Sequence, residues 1–405
     1  MPKALLSDVA VESLAGRRVL VRADLNVPLD DALNVTDETR IRASLPTLQR
    51  LRSAGARVVL LSHLGRPKGS PDPAFSLAPV AARLDALLGG GVHFVPDLVG
   101  QRAREAVAGL AAGEVVLLEN TRFDPRETAN DPELAAALAE MGDDFVLDAF
   151  GTAHRAHAST EGVARAVAAS GGHAWAGLLL ERELTFLGDA LESPDRPFVA
   201  ILGGAKISGK IDVVEALLPR VDRLLVGGAM ANTFFLALGL EVGESLVEPD
   251  RVEMARELLD RAGERLLLPV DVRVASEISA DAEVRVVARS GVAPGDRIAD
   301  IGPATEVLFA NEVREARTVV WNGPMGVFEL APFREGTVAL AHAVASAADG
   351  GAVTVLGGGD SAAAAEAAGV ADRLTHISTG GGASLQLLAG APLPGIAALT
   401  DRESA

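Results

Sequence analysis

Short apolar runs alternate with amphipathic stretches along most of the chain. In the first half, the apolar runs predict strands at residues 18–23, 57–62, 92–95, 115–119 and 145–148. Helical periodicity lies between them and is clearest over residues 42–54 and 77–88. Strands that alternate with helices predict a mostly parallel sheet that is covered by helices on both faces.

The alternation resumes in the second half, after a change of pattern near Trp175. Residues 178–191 form one amphipathic helical pattern that Pro194 and Pro197 interrupt, which indicates a linker helix between domains. The later apolar runs predict strands at residues 198–202, 223–226, 267–270, 318–321, 353–356 and 376–378. The sequence therefore predicts an α/β protein with two doubly wound, parallel-sheet (Rossmann-like) domains, joined by the linker helix and a hinge.

Composition agrees with this division. A chain of 405 residues, 49% of them hydrophobic, is long enough for two or three domains with real cores. We place a first domain at residues 1–172, the linker and hinge at 173–195, a second domain at 196–388 and a C-terminal segment at 389–405.

Several classes of protein are disfavoured. The chain has no Cys, which excludes disulfides, thiolate metal sites and cysteine nucleophiles. Its start lacks a signal-peptide pattern and no apolar run is long enough to cross a bilayer, so we expect a cytoplasmic protein without a membrane partner. A net charge of -18 argues against nucleic acid as a partner, because binding phosphates along a nucleic acid needs a basic face.

Cations follow the predicted strands of the first half. The first strand ends in Arg22-Ala23-Asp24-Leu25-Asn26-Val27-Pro28, and further basic side chains come near later strand ends or helix starts: Arg40, His63, Arg66, Arg122, His154, Arg155 and His157. Any one of these is more simply a solvated surface charge. Together they predict a pocket for a small, multiply anionic ligand, because arginine grips phosphate or carboxylate with two donors. His154 and His157 have the spacing of a metal pair but lack a third ligand in register.

Glycine follows the predicted strands of the second half, in clusters at residues 203–204, 227–228, 323–326, 357–360 and 380–382. Glycine lets the backbone approach a phosphate, and a helix N-terminus offers free N–H groups. Asp360 is the carboxylate best placed for Mg²⁺, which usually takes one or two protein carboxylates plus phosphate oxygens. These loops predict a nucleotide-phosphate site.

One glycine loop is similar to a nucleotide-binding motif. Residues 204–210 fit the first seven positions of a Walker A loop, but Ile211 stands where Ser or Thr should hold Mg²⁺. What remains is the pair Lys206 and Lys210, which we expect one helical turn apart at a helix start, with both charges on one phosphate chain. A P-loop ATPase stays an alternative, as does a non-catalytic protein that senses metabolites. Two anion sites on two lobes favour a kinase that closes by hinge motion to exclude water.

The ordered motifs carry a resemblance to the phosphoglycerate kinase family that runs nearly end to end. They lie at residues 22–28, 62–67, 119–123, 151–157, 202–206, 321–329, 357–360 and 378–384. The resemblance implies reversible, Mg²⁺-dependent phosphoryl transfer from 1,3-bisphosphoglycerate to ADP, giving 3-phosphoglycerate and ATP. It also implies a monomer whose C-terminal segment returns to the first domain.

The resemblance further implies roles for residues. The first domain would bind 3-phosphoglycerate through Asp24, Asn26, Arg40, His63, Arg66, Arg122 and Arg155. The second would bind the nucleotide through Lys206, Lys210, Gly227, Gly228, Asn322, Pro324, Glu329, Gly358, Gly359, Asp360 and Ser361, with Asp360 towards the metal. Arg40, Lys206 and Gly381 would stabilise the phosphoryl group in flight.

Two positions depart from the family pattern. Gly209 stands where an acidic residue is common between the two lysines, and we expect its absence to loosen the helix start. Ala229 replaces a usual third glycine, which would narrow the adenine side slightly. Neither departure removes a charge assigned to catalysis.

Overall fold

The computed structural model describes residues 2–402, which form two compact units. The first unit extends to Leu184 and includes the chain from Pro392 onward, and the second is Thr185–Ala391. No helix within residues 2–402 is both long and apolar enough to cross a membrane.

A six-stranded parallel sheet forms the centre of the first unit. Its strands are β1 (Arg18–Ala23), β2 (Arg57–Leu61), β3 (Val92–Val95), β4 (Val115–Leu118), β5 (Asp144–Asp148) and β6 (Ala174–Ala176), in the order β3-β4-β2-β1-β5-β6. The helices are α1 (Thr39–Ser53), α2 (Ala78–Leu88), α3 (Gln101–Gly109), α4 (Pro132–Ala139), α5 (Phe150–Ala153) and α6 (Val163–Ala169). Strands β2, β4 and β5 are apolar along most of their length and buried almost throughout, as expected for a sheet covered on both faces.

The second unit repeats the plan. Its main sheet contains β7 (Phe198–Leu202), β8 (Arg223–Val226), β9 (Leu266–Leu267), β13 (Thr318–Asn322), β14 (Val353–Gly357) and β15 (His376–Ile377), all parallel, in the order β15-β14-β13-β7-β8-β9. The helices are α8 (Ile211–Leu217), α9 (Met230–Ala237), α10 (Val252–Ala262), α11 (Pro303–Glu315), α12 (Glu335–Asp349), α13 (Gly359–Ala367) and α14 (Gly381–Leu388).

A small antiparallel sheet in the second unit was not predicted. It contains β10 (Asp271–Ala275), β11 (Arg285–Ala288) and β12 (Arg297–Ile301), in the order β11-β10-β12. Strand β11 is largely exposed, and its apolar run of three residues, 286–288, is too short to indicate a strand. The strand predicted at residues 267–270 was wrong beyond Leu267, since β9 ends there and Pro269 has no N–H for a ladder.

The predicted class, two parallel-sheet α/β domains, is confirmed by these two six-stranded sheets. The amphipathic pattern at residues 178–191 forms helix α7 (Leu178–Glu192), which begins in the first unit and ends in the second. Near the C-terminus, α15 (Pro394–Ala397) belongs to the first unit. There the Lys3 Nζ donates to the carbonyl oxygens of Ala397 and Leu399 at 3.0 Å each.

Candidate functional site

The carboxyl end of the first sheet brings the predicted cationic segments together. Because β1 pairs in register with both β2 and β5, the residues that follow these strands meet at one edge. There Arg40 donates to Asp24 at 2.9 Å, and the Asn26 Oδ1 accepts from the Gly65 N–H at 2.7 Å. Arg40 itself lies inside the first turn of α1, which begins earlier than the predicted helix at residue 42.

Three of the predicted arginines share one cavity. Arg66, Arg122 and Arg155 line a space of about 520 Å³ together with Lys68. The Arg122 guanidinium donates to the Gly65 carbonyl oxygen at 2.6 Å, which fixes the loop after β2 against the loop after β4. Four cationic side chains around one cavity form a site for a compact anion.

A buried polar network lies beneath this edge, and sequence reasoning missed it as part of the site. Arg22, fully buried within β1, donates from Nη2 to the His63 Nδ1 at 3.0 Å and from Nε to the Ser159 Oγ at 2.9 Å. The Ser159 hydroxyl in turn donates to Glu127 at 2.6 Å. The one available signal was a cation inside an otherwise apolar strand, because Glu127 and Ser159 are far from Arg22 in sequence.

Burial and local charge set the protonation of the two inner histidines. Burial lowers the pKa of His63 well below 6.5, and the charges of Arg22, Arg122 and Arg40 lower it further. Burial and the same Arg122 and Arg22 lower the pKa of His157 to about 4. Burial also lowers the pKa of Arg122, to about 10, which leaves it charged at neutral pH. The edge therefore presents charged arginines around a neutral His63.

The carboxyl end of the second main sheet gathers the glycine loops. A cavity of about 280 Å³ is lined by Lys206, Lys210, Asn322, Pro324, Gly358, Gly359, Asp360, Ser361 and Gly381. Helices α13 and α14 begin at this cavity, so their first N–H groups and the positive ends of their dipoles lie beside it. The arrangement suits a chain of phosphate groups.

The two lysines are not one helical turn apart, so that prediction was wrong. Helix α8 begins only at Ile211, and residues 204–210, which we call the lysine loop, form a turn before it. The Lys210 Nζ donates to the carbonyl oxygens of Gly203 at 2.6 Å and Asn322 at 2.9 Å. Burial lowers the pKa of Lys210 to about 8, and the charge of Asp360 opposes that shift. Lys206 is exposed at the rim.

Close backbone packing at this edge requires glycine at two positions. Gly323 has φ +95°, and a Cβ there would lie 2.4 Å from the Gly203 carbonyl oxygen. Gly228 has φ +66°, and a Cβ there would lie 2.5 Å from the Gly204 nitrogen. Both backbones can approach their neighbours only without a side chain.

A larger cavity of about 750 Å³ adjoins the lysine loop. Its wall includes the predicted Gly228, Pro324, Glu329 and Asp360 beside apolar side chains such as Phe235 and Leu246. Gly227 does not line it and instead packs on Met325, whose Sδ would lie 2.4 Å from an added Cβ. A mostly apolar cavity that opens beside a phosphate site has the character of a nucleoside pocket.

Asp300 and Asn232 are among several polar residues of this larger cavity that were not predicted. Asp300 is buried at the end of β12 and accepts from the Gly336 N–H at 2.7 Å; burial raises its pKa to about 7. Asn232, on α9, donates to the Leu246 carbonyl oxygen at 3.1 Å. Both depend on contacts between segments distant in sequence.

The two departures from the family pattern fit the local backbone. A Cβ at Gly209 would meet open space, so the position tolerates a side chain. Ala229 has φ -65° and ψ -19°, an ordinary helical conformation at the start of α9. No conformational need for glycine exists at residue 229.

No group of three or more His, Asp or Glu side chains within residues 2–402 is arranged to hold a metal ion. His154 and His157 therefore belong to no such group in that part of the chain. Asp360, exposed in the first turn of α13, fits a Mg²⁺ ion whose other ligands are phosphate oxygens and water.

A cationic edge in one parallel-sheet unit and a glycine-rich, lysine-bearing edge in the other define a two-domain α/β kinase. Comparison with known proteins is more specific. Residues 6–391 match the family model described as phosphoglycerate kinase. The phosphoglycerate kinase of Chloroflexus aurantiacus is 58% identical over 408 residues, covering 100% of both chains.

Solved structures agree. Phosphoglycerate kinase from Coxiella burnetii is similar over 100% of both chains, with a TM-score of 0.88 and 42% identity. The enzyme from Pyrococcus horikoshii OT3 covers 98% of both chains, with a TM-score of 0.83 and 35% identity. The chain belongs to the phosphoglycerate kinase family.

Proposed function

We propose that this chain catalyses the reaction for which its family is named, the reversible transfer of a phosphoryl group from 1,3-bisphosphoglycerate to ADP, giving 3-phosphoglycerate and ATP. Membership of the family over residues 6–391 carries the proposal. The two anion-binding edges support it, because the reaction needs one site for a small phosphorylated acid and one for a nucleotide.

We assign 3-phosphoglycerate to the first unit. Arg66, Arg122 and Arg155 line the cavity that suits its phosphate. Asp24, Asn26, Arg40 and His63 form the adjoining part of the edge. His63 accepts a hydrogen bond from Arg22 at Nδ1, so its neutral ring carries the proton on Nε2 and offers a donor to the substrate.

We assign the nucleotide to the second unit, with its base in the larger cavity and its phosphates in the smaller. Lys206, Lys210 and the N-terminus of α13 would hold the phosphate chain. The exposed Asp360 would approach Mg²⁺, and the ion, when bound, supplies positive charge against the phosphate oxygens.

The transfer needs no general base. In the ATP-forming direction, the bond between the phosphorus and the acyl oxygen breaks as a bond to the ADP β-phosphate oxygen forms, so no proton moves. The work of the protein is to align the two oxygens and to stabilise the charge of the phosphoryl group. Arg40, Lys206 and the Gly381 N–H are the groups we assign to that task. Direct transfer also requires closure about the hinge, which is part of the proposal.

A coupled assay of ATP-dependent phosphorylation of 3-phosphoglycerate with Mg²⁺ tests the function. We expect activity in the wild type, its near-complete loss in Lys206→Ala and partial retention in Lys206→Arg, because the charge near the phosphoryl group is the functional feature. A wild-type protein that binds both ligands without turnover would contradict the proposal and favour a metabolite sensor. A cytoplasmic monomer remains our expectation for the working enzyme.

A further inference from the structure

The lysine loop is held by a carboxylate from a distant part of the second unit. Glu248 lies 40 residues beyond Ser208, yet its Oε2 accepts from the Ser208 N–H at 3.0 Å and its Oε1 accepts from the Ser208 hydroxyl. Ser208 stands midway between Lys206 and Lys210. The Glu248 side chain therefore holds the middle of the loop that carries both lysines by two hydrogen bonds.

The segment that carries Glu248 is hydrogen-bonded to helix α9. The Glu248 N–H donates to the Oγ1 of Thr233, a buried residue of α9, at 3.2 Å. Two residues earlier, the Leu246 carbonyl oxygen accepts from Asn232 on the same helix. Because this segment is held to α9 at two points, the Glu248 side chain is positioned more accurately than it would be on a free loop.

Charge adds to the geometry. Partial burial alone would raise the pKa of Glu248, but hydrogen bonds from Ser208 and Ile207 and the charge of Lys206 bring it below its usual value. The Glu248 carboxylate is therefore ionised at neutral pH, and the charge of Lys206 stabilises it. It also supplies a negative charge to a loop in which Gly209 supplies none.

We propose that Glu248 is a positioning residue that holds the lysine loop, through Ser208, in the conformation that presents Lys206 to the transferring phosphoryl group. The inference rests on the proposed function. This role differs from a general contribution to stability, because Glu248 acts on the lysine loop, on the nucleotide side of the reaction. Loss of Glu248 should therefore lower turnover and leave the binding of 3-phosphoglycerate unchanged.

The test compares Glu248→Ala, Ser208→Ala, Ser208→Thr and the double alanine variant with the wild type. Glu248→Ala should lower kcat about tenfold or more, the range for a lost hydrogen bond to a charged group. The KM for 3-phosphoglycerate should stay unchanged, and the melting temperature should fall only slightly, because the lost hydrogen bonds lie at an exposed loop. Ser208→Ala should show a smaller loss, Ser208→Thr should retain activity, and the double variant should be no worse than Glu248→Ala.

Glu253→Ala is the matched control, because Glu253 is 79% exposed at its side chain and pairs with Arg256 on its own helix. It should behave as the wild type. Any of three results would overturn the inference. Glu248→Ala could keep the wild-type kcat, or the losses of kcat in the two single variants could add fully in the double variant. The KM for 3-phosphoglycerate of Glu248→Ala could also rise by the same factor as kcat falls. If Glu248→Ala does not fold, equal activity of Ser208→Ala and Ser208→Thr overturns it. An inactive wild type overturns the proposed function and this inference together.

Discussion

Arg40 has a place in the first unit that predicts a selective effect of its removal. It is fixed by Asp24 at 2.9 Å, yet its side chain remains 38% exposed, so one face is free to meet a ligand. We expect Arg40→Ala to lower kcat by ~100-fold or more, as for other groups that stabilise transferring charge. The dissociation constant of ADP, measured by calorimetry, should change little, and an equal loss in both quantities would refute the assignment.

The depressed pKa values of His63 and His157 predict a loss of stability in acid. Between the folded-state pKa (about 4 for His157) and 6.5, the unfolded chain binds protons that the native protein does not. The contribution of these two histidines to stability is therefore fully present above pH 6.5 and is lost as the pH drops towards 4. Across this range, the urea midpoint of the wild type should fall relative to that of His157→Gln.

The exposed His93 is the control for that experiment, since it lies on β3, outside the network of Arg22 and Glu127. His93→Gln should keep the wild-type slope. An unchanged slope in His157→Gln would show that the inner histidines do not titrate as the structure indicates.

Residues of the site differ in how far the sequence revealed them. Arg66, Arg122 and Arg155 lie in the segments that follow β2, β4 and β5, and a parallel sheet places the ends of such strands at one edge, so their convergence was predictable. Glu127, Ser159 and Glu248 act through contacts across 30 or more residues of sequence. No local pattern encodes such pairings, and only the folded chain shows them.

At the scale of elements, the start of α7 depends on a buried carboxylate at the end of β5. The Asp148 Oδ1 accepts from the Leu179 N–H at 2.9 Å and the Leu180 N–H at 3.2 Å, and the carboxyl group also interacts with the Thr47 side chain. Burial raises the pKa of Asp148 to about 6 although these hydrogen bonds oppose the shift. Helix α7 thus begins at a buried acid whose pKa is raised.

Because its pKa is raised, Asp148 contributes most to the stability of the folded protein at acidic pH. The native protein holds the proton of Asp148 between 3.8 and about 6, where the unfolded chain has lost it, so stability falls as the pH rises through that range. Relative to Asp148→Asn, the wild type should lose on the order of 2–3 kcal/mol of unfolding free energy across it. A difference in unfolding free energy between the two proteins that stays constant with pH, as measured by urea denaturation, would contradict this.

The N-terminus of α13 yields a prediction for the nucleotide side. Asp360 stands in its first turn beside Gly358 and Gly359. Asp360→Ala should weaken binding of Mg-ADP, because the carboxylate is the metal ligand we assign, and should leave 3-phosphoglycerate binding nearly intact. Calorimetric titrations of both ligands check this, and the reverse pattern would refute the assignment.

The longer buried strands of the two main sheets were the most predictable elements. The inner strands β1, β2, β4, β7 and β13 appeared as apolar runs because both of their faces are covered. Strands β6 and β11 were not predicted, because each contains only three consecutive apolar residues, too few to indicate a strand. The turn before α8 was misread as a helix because the Lys206–Lys210 spacing fits one helical turn equally well.

At the scale of the whole molecule, two units with similar parallel sheets carry different chemistry. The loops of the first provide guanidinium groups, and those of the second provide glycine backbones and two lysines. These cavities thereby place local positive charge on a chain whose net charge is -18. Separate sites allow each substrate to be recognised by its own chemistry before transfer.

A single turnover with excess protein and ATP labelled in its γ-phosphoryl group tests the central claim most directly. We expect the label to move to 3-phosphoglycerate, as an acyl phosphate, only when that substrate is present. Release of labelled inorganic phosphate without 3-phosphoglycerate would indicate an ATPase, and label that stays on ATP in the complete mixture would indicate a binding protein. Either result would contradict the proposed phosphoryl transfer.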